Sequence, residues 1–134
     1  MWGSFGYELD PAEISEEARA EIKTQIADYH KYYDLIHYGD LYRIINPWDD
    51  PYKVAWEFVS EDKSQAMLTV VVKFFKEARN FFIKLKGLDA DKYYKCLEDG
   101  EVYSGALLMY AGVSLYHYPD WDGDSFALHF EEVK

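Results

Sequence analysis

Chemistry in this 134-residue chain must come from a few polar groupings, and spacing decides what each can do. Glu8 and Asp10 stand two apart, so in an extended segment both carboxylates point the same way. A glycosidase places two carboxylates about 5–9 Å apart across a sugar. The same pair ahead of Pro11 also suits a turn, with Asp10 as cap and Glu8 as a strand-end charge, and this is the expected role. Asp120, Asp122, Asp124 and Glu131 fall at positions 1, 3, 5 and 12 of a calcium-loop spacing. The sixth position, which needs Gly for the sharp turn, holds Ser125. The alternation Phe126, Leu128, Phe130 then predicts a strand. An acidic hairpin turn is therefore expected, with calcium as its alternative. His30 and His37 share one helix face with Asp34 between them, while His117 and His129 are distant. Zinc and iron sites draw on tighter, richer clusters, so no metal is expected.

Trp48, Tyr52, Tyr116, Tyr118 and Trp121 lie in or beside predicted loops. Aromatic faces at the rim of a sandwich can stack on sugar rings, and the same side chains can instead close the sandwich ends or dock on a neighbouring domain. Cys96, the only cysteine, has no His or basic residue adjacent to lower its pKa. It reads as a small buried residue. No phosphate-binding glycine loop, nucleophile elbow or dinucleotide fingerprint is present.

Two unlike parts must position these residues. From Ser15 to His37, Ala18, Ile22, Ile26, Tyr29, Tyr33 and Ile36 recur in steps of three and four, one stripe of a long amphipathic helix. Ser15-Glu16-Glu17 offers a cap, and Gly39 ends the helix. Beyond Gly39 the period becomes two. Leu41–Ile45, Val54–Val59, Ala66–Phe75, Phe81–Lys86, Tyr93–Leu97 and Ser125–Val133 read as strands, separated by Asn46-Pro47, Asp99-Gly100 and similar breakers. Tyr103–Gly112 is ambiguous, with one helical turn near Ala106–Tyr110. The predicted fold is mainly β: an antiparallel β-sandwich over 39–134, preceded by the helix within 1–38. Residues 1–10 read as a strand feeding that helix within something larger, because a helix and one strand cannot make a core alone.

A net charge of −11 argues against a nucleic-acid partner and against acidic membrane surfaces. The longest apolar run, Met67–Val72, is too short to span a bilayer. No signal peptide is read at the N-terminus, and the lone thiol fits a reducing compartment. A cytoplasmic location is the expectation.

Five stretches taken in order carry a family resemblance: "FGYELD" (5–10), "SEEARAEIKTQIADYHKYYDLIHYGDLYRI" (15–44), "AWEFVSEDKSQA" (55–66), "LKGLDADKYY" (85–94) and "GEVYSGALLMYAGVSL" (100–115). Together they resemble the C-terminal end of family thirty-six glycoside hydrolases, the microbial α-galactosidases. The resemblance implies a parent with an N-terminal β domain, a (β/α)₈ barrel and a C-terminal antiparallel β domain. Residues 1–38 would then be the last barrel strand and helix, and 39–134 the C-terminal domain. It also implies retaining hydrolysis of terminal α-galactosides by two aspartates, without a cofactor. No position here matches their motifs, so no catalytic residue carries over and this chain alone is not expected to turn over substrate. The implied partners are the barrel, galactosides, and a second copy through the face Ile22, Ile26, Tyr29, Tyr33 and Ile36. Trp2, "FFKEARNFF" (74–82) and "LYHYPDWDGDS" (115–125) depart from the family's pattern. The alternative from another class is a stand-alone carbohydrate-binding β-sandwich.

Overall fold

The computed structural model describes residues 5–10, 12–73, 79–117 and 123–134, with the side chains of Arg79 and His117 outside that set. The chain divides into two compact units, Met1–Tyr38 and Gly39–Lys134.

In the first unit, α1 (Glu16–Lys31) starts where the Ser15 hydroxyl accepts the Ala18 N–H at 3.2 Å. Glu16 and Glu17 favour its positive N-terminus, and His30 and Lys31 its negative end. The helix does not run on to His37. Tyr32 leaves helical geometry at φ −104°, ψ 9°, and α2 (Tyr33–Tyr38) follows. Hydrogen bonds bridge the irregularity: the Tyr32 N–H donates to the Asp28 carbonyl at 3.2 Å and the Ile36 N–H to the Tyr32 carbonyl at 3.0 Å. Tyr29 Oη lies 2.8 Å from His37 Nε2, and the Tyr33 and His37 rings stack at 4.1 Å. His37 is thus engaged with tyrosines. Residues 5–10 form no strand, since a strand needs a neighbour's backbone to complete its hydrogen bonds. Phe5 instead packs on Tyr29 at 5.4 Å, and the Tyr7 hydroxyl donates to Gln25.

In the second unit the described strands are β1 (Asp40–Ile45), β2 (Lys53–Val59), β3 (Gln65–Val72), β4 (Arg79–Ile83), β5 (Tyr93–Cys96), β6 (Val102–Ser104), β7 (Val113–His117) and β8 (Asp124–Glu132). A helix, α3 (Gly105–Tyr110), precedes β7. The larger sheet has the order β1-β2-β3-β8-β5-β6, and β4 pairs with β7 in a smaller one. Every pairing is antiparallel. The inward residues of β2 and β3, among them Ala55, Val59, Ala66, Leu68 and Val70, meet Ile83, Val113 and Leu115 of the small sheet in one core with Tyr94, Leu108 and Phe130. Fully burying one such side chain stabilises by roughly 1.5–3 kcal/mol. Phe58, Met67 and Thr69, on the opposite face, are buried too. Burial on both faces is why β3 reads as the run "AMLTVVV", apolar except for Thr69, rather than as an alternation.

Candidate functional site

The antiparallel order carries Trp48, Tyr52 and Tyr116 of the predicted aromatic rim to one end of the sandwich. β1 and β3 end there, β2 and β4 begin there, and β7 ends beside the start of β8. A backbone bond and a ring contact tie the same end together: the Lys73 N–H donates to the Tyr52 carbonyl at 2.6 Å, and the Phe81 and Phe126 rings meet at 6.1 Å.

The β1–β2 connection is built on its acids. The Asn46 carbonyl accepts the Asp49 and Asp50 N–H groups at 3.1 and 3.3 Å, and Asn46 Nδ2 donates to Asp49 Oδ2 at 2.7 Å. Asp50 Oδ1 accepts the N–H of Tyr52 at 2.8 Å and of Lys53 at 3.2 Å, while Lys53 Nζ donates to its other oxygen. Burial works against an ionised Asp50, yet Lys53 and these N–H groups outweigh it and hold the carboxyl below its ordinary value. The Lys53 ammonium also lies 5.9 Å over the Phe81 ring. With its polar groups occupied internally, the loop presents Trp48 outward at 75% exposure.

Tyr52 and Tyr116 are exposed at this end as well. Tyr116 stands opposite Asn80 in the small sheet, where the Ser114 hydroxyl donates to Asn80 Oδ1 at 2.6 Å. Tyr118 and Trp121 lie outside the described residues, as do Trp2, Pro11, Asp120 and Asp122. The arrangement offers stacking faces and amide and hydroxyl partners, and its two loop acids brace the backbone.

The other candidates disperse. Asp124 pairs with Val72 and Glu131 with Gln65, at opposite ends of the β3–β8 ladder. Seven strand residues span roughly 23 Å, so one calcium ion cannot gather both. Among the described residues no group of three or more His, Cys, Asp and Glu side chains is placed to hold a metal ion. Glu8 and Asp10 are exposed, and Asp10 Oδ1 accepts the Ala12 N–H at 2.8 Å, as a turn cap does. Cys96 is buried, and burial pushes its thiol up to about 11, which leaves it a poor nucleophile.

Two polar sites escaped the sequence reading. Glu98 clamps β8: its Oε2 accepts the His129 N–H at 2.8 Å and the Cys96 thiol at 3.5 Å, and its Oε1 meets His129 Nδ1. Glu57 lies fully buried in β2, at an inward position that the Ala55, Glu57, Val59 alternation could have flagged.

Residues 53–130 match the glycosyl hydrolase family 36 C-terminal domain. Over 136 residues the chain is 38% identical to a bifunctional alpha-galactosidase/sucrose kinase of Mediterraneibacter gnavus, covering 100% of this chain and 14% of that protein. Alpha-galactosidase AgaA of Geobacillus stearothermophilus is 39% identical over 117 residues, covering 86% of this chain and 16% of the relative. The solved alpha-galactosidase AgaB of the same organism superposes with a TM-score of 0.86 at 36% identity, over 96% of this chain and 18% of that one. The chain thus spans about a sixth of the length of the proteins it matches, and by sequence and fold together it belongs to the family 36 glycosyl hydrolase C-terminal domain.

Proposed function

We propose that this chain works as the non-catalytic C-terminal part of an α-galactosidase, an enzyme that hydrolyses terminal α-galactosides with retention and without a cofactor. The match of residues 53–130 to a C-terminal domain carries this reading. In that parent, residues 1–38 supply the last barrel strand and helix, with neighbouring strands giving residues 5–10 the pairing a strand needs. The tyrosine-rich helix face then has a purpose, since barrel helices bury one side on their strands. The sandwich braces that barrel. The buried free thiol Cys96 suits work in the cytoplasm.

Assays of the chain alone with melibiose and raffinose should show no galactose release, and turnover would overturn the proposal. Of the face Ile22, Ile26, Tyr29, Tyr33 and Ile36, Tyr29 and Ile36 are buried within this chain, and the remainder is also proposed as a contact with the barrel or with a second copy. Ile26 and Tyr33 remain 39% and 38% exposed, so sedimentation of the isolated chain should reveal self-association that Ile26→Lys abolishes.

A second reading is favoured by Trp48, whose ring is solvent-facing on a loop fixed by its own acids. It would bind galactosides by stacking, with Tyr52, Tyr116, Tyr118 and Trp121 nearby in the fold or sequence. Calorimetry with raffinose decides it: saturable heat lost in Trp48→Ala supports binding, and no heat removes it.

A further inference from the structure

Glu57 sits at 0% exposure in the middle of β2, on the core face, in a row with Tyr42 of β1 and Leu68 of β3. Its Oε1 accepts the Lys86 N–H at 2.6 Å. Among the described residues its Oε2 has no hydrogen-bond partner. Lys86 belongs to the 84–88 strap, the segment that leaves β4 in the small sheet and crosses towards β5 in the large one. Apolar contacts hold the rest of that strap. Leu85 and Leu88 are buried, and the Leu85 N–H donates to the Leu108 carbonyl at 3.1 Å. Gly87, at φ +74°, lies so close under the Tyr42 ring that a Cβ there would sit 2.5 Å from it. Glu57 is thus the polar tie between the large sheet and the strap that joins the two sheets.

We infer that Glu57 is a proton-operated latch: as a neutral acid it holds the 84–88 strap against β2, and its ionisation loosens that strap. A carboxylate in an apolar core needs several donors to replace its lost hydration, and here one backbone N–H is in place. The titratable groups beside it are Tyr42, its register partner on β1, and the exposed Lys86 of the strap, whose charge acts on it. Leu68, its register partner on β3, belongs with Leu85 and Leu108 to the apolar core. Burial pushes the carboxyl up to about 8, against the smaller opposing pull of the Lys86 N–H and charge. Opening the strap lets water reach the anion, and Lys84 and Lys86 already lie exposed on it.

Amide exchange of the whole chain from pH 5 to 9 tests the latch. After correction for the base-catalysed intrinsic rate, protection of the strap amides should fall about tenfold per pH unit up to roughly pH 8 and then level off. In Glu57→Gln, which keeps an acceptor for the Lys86 N–H, the profile should be flat. A parallel decline in that variant overturns the inference. If Glu57→Gln fails to fold, the side-chain ¹³C resonance of Glu57 in the unaltered chain decides the matter. A midpoint well above the ordinary glutamate range supports the latch, and a carboxylate already ionised at pH 6 overturns it.

Discussion

A single hydroxyl on Tyr94 joins two turns of the sandwich. The ring is wholly buried, its Oη donates to the Lys63 carbonyl at 2.9 Å, and it accepts the Asp89 N–H at 3.1 Å. Tyr94→Phe would leave both partners short of a bond and should cost about 1–3 kcal/mol, read as a lower urea midpoint. An unchanged midpoint would mean that neither bond contributes. Lys63 itself has a positive φ of 56°, a conformation that strains a side-chain-bearing residue. Lys63→Gly relieves that strain but gives the unfolded chain more freedom. The balance should still stabilise by about 0.5 kcal/mol, and a lowered midpoint would show that the lysine side chain matters more than the strain. Neither feature was legible in the sequence, because Tyr94 finds Lys63 across 31 residues of chain and no local pattern encodes such a pairing.

Elements were more legible than the contacts between them. β1, β2, β5 and β8 fall where the alternation puts them, since each has polar residues at regular intervals or a turn signal at both ends. β6 has three residues, too few for a period to show, and β7 follows a stretch that reads equally well as a helix. The irregularity at Tyr32 was invisible because the apolar steps continue through it. The exposure of Trp48, Tyr52 and Tyr116 agrees with their place in or beside predicted loops. The inward position of Glu57 was legible in the Ala55, Glu57, Val59 alternation, but its Lys86 partner, 29 residues away, was not. Gly105, the first residue of α3, shows how tightly the elements join. A Cβ there would lie 1.9 Å from the Asp89 carbonyl oxygen, and the Gly105 N–H donates to the Lys92 carbonyl at 2.8 Å. Gly105→Ala must push backbone apart and should destabilise by about 3 kcal/mol, at the upper end of overpacking costs. A thermal melt within a degree or two of the unaltered chain would contradict this close approach.

At the scale of the whole chain, the shifted groups fix the pH at which the fold is firmest. Glu57 is raised from 4.5 to about 8, so the folded state binds its proton more tightly than the unfolded state does. Its contribution is complete below about pH 4.5 and is lost as pH climbs to 8, by at most about 1.4 kcal/mol for each unit. Asp62 moves the other way, held down to about 2 by the Ser64 hydroxyl and N–H and the Ser60 hydroxyl. Its contribution is present above its ordinary 3.8 and is lost as pH falls towards 2; exposure to solvent keeps it small. Cys96, raised from 9.0 to about 11, adds a further loss on the alkaline side between those values. The window left by these three groups lies near pH 4 to 5. There the chain also nears its isoelectric point of about 4.7, where the self-repulsion carried by a net charge of −11 at neutrality fades. The melting temperature of the isolated chain should therefore peak on the acid side and decline steadily from pH 5 to 8, against the common maximum between pH 5 and 8. Calorimetry across pH 3 to 10 checks this, and a melting temperature that rises between pH 5 and 8 would show that the buried carboxyl does not govern the stability of the fold.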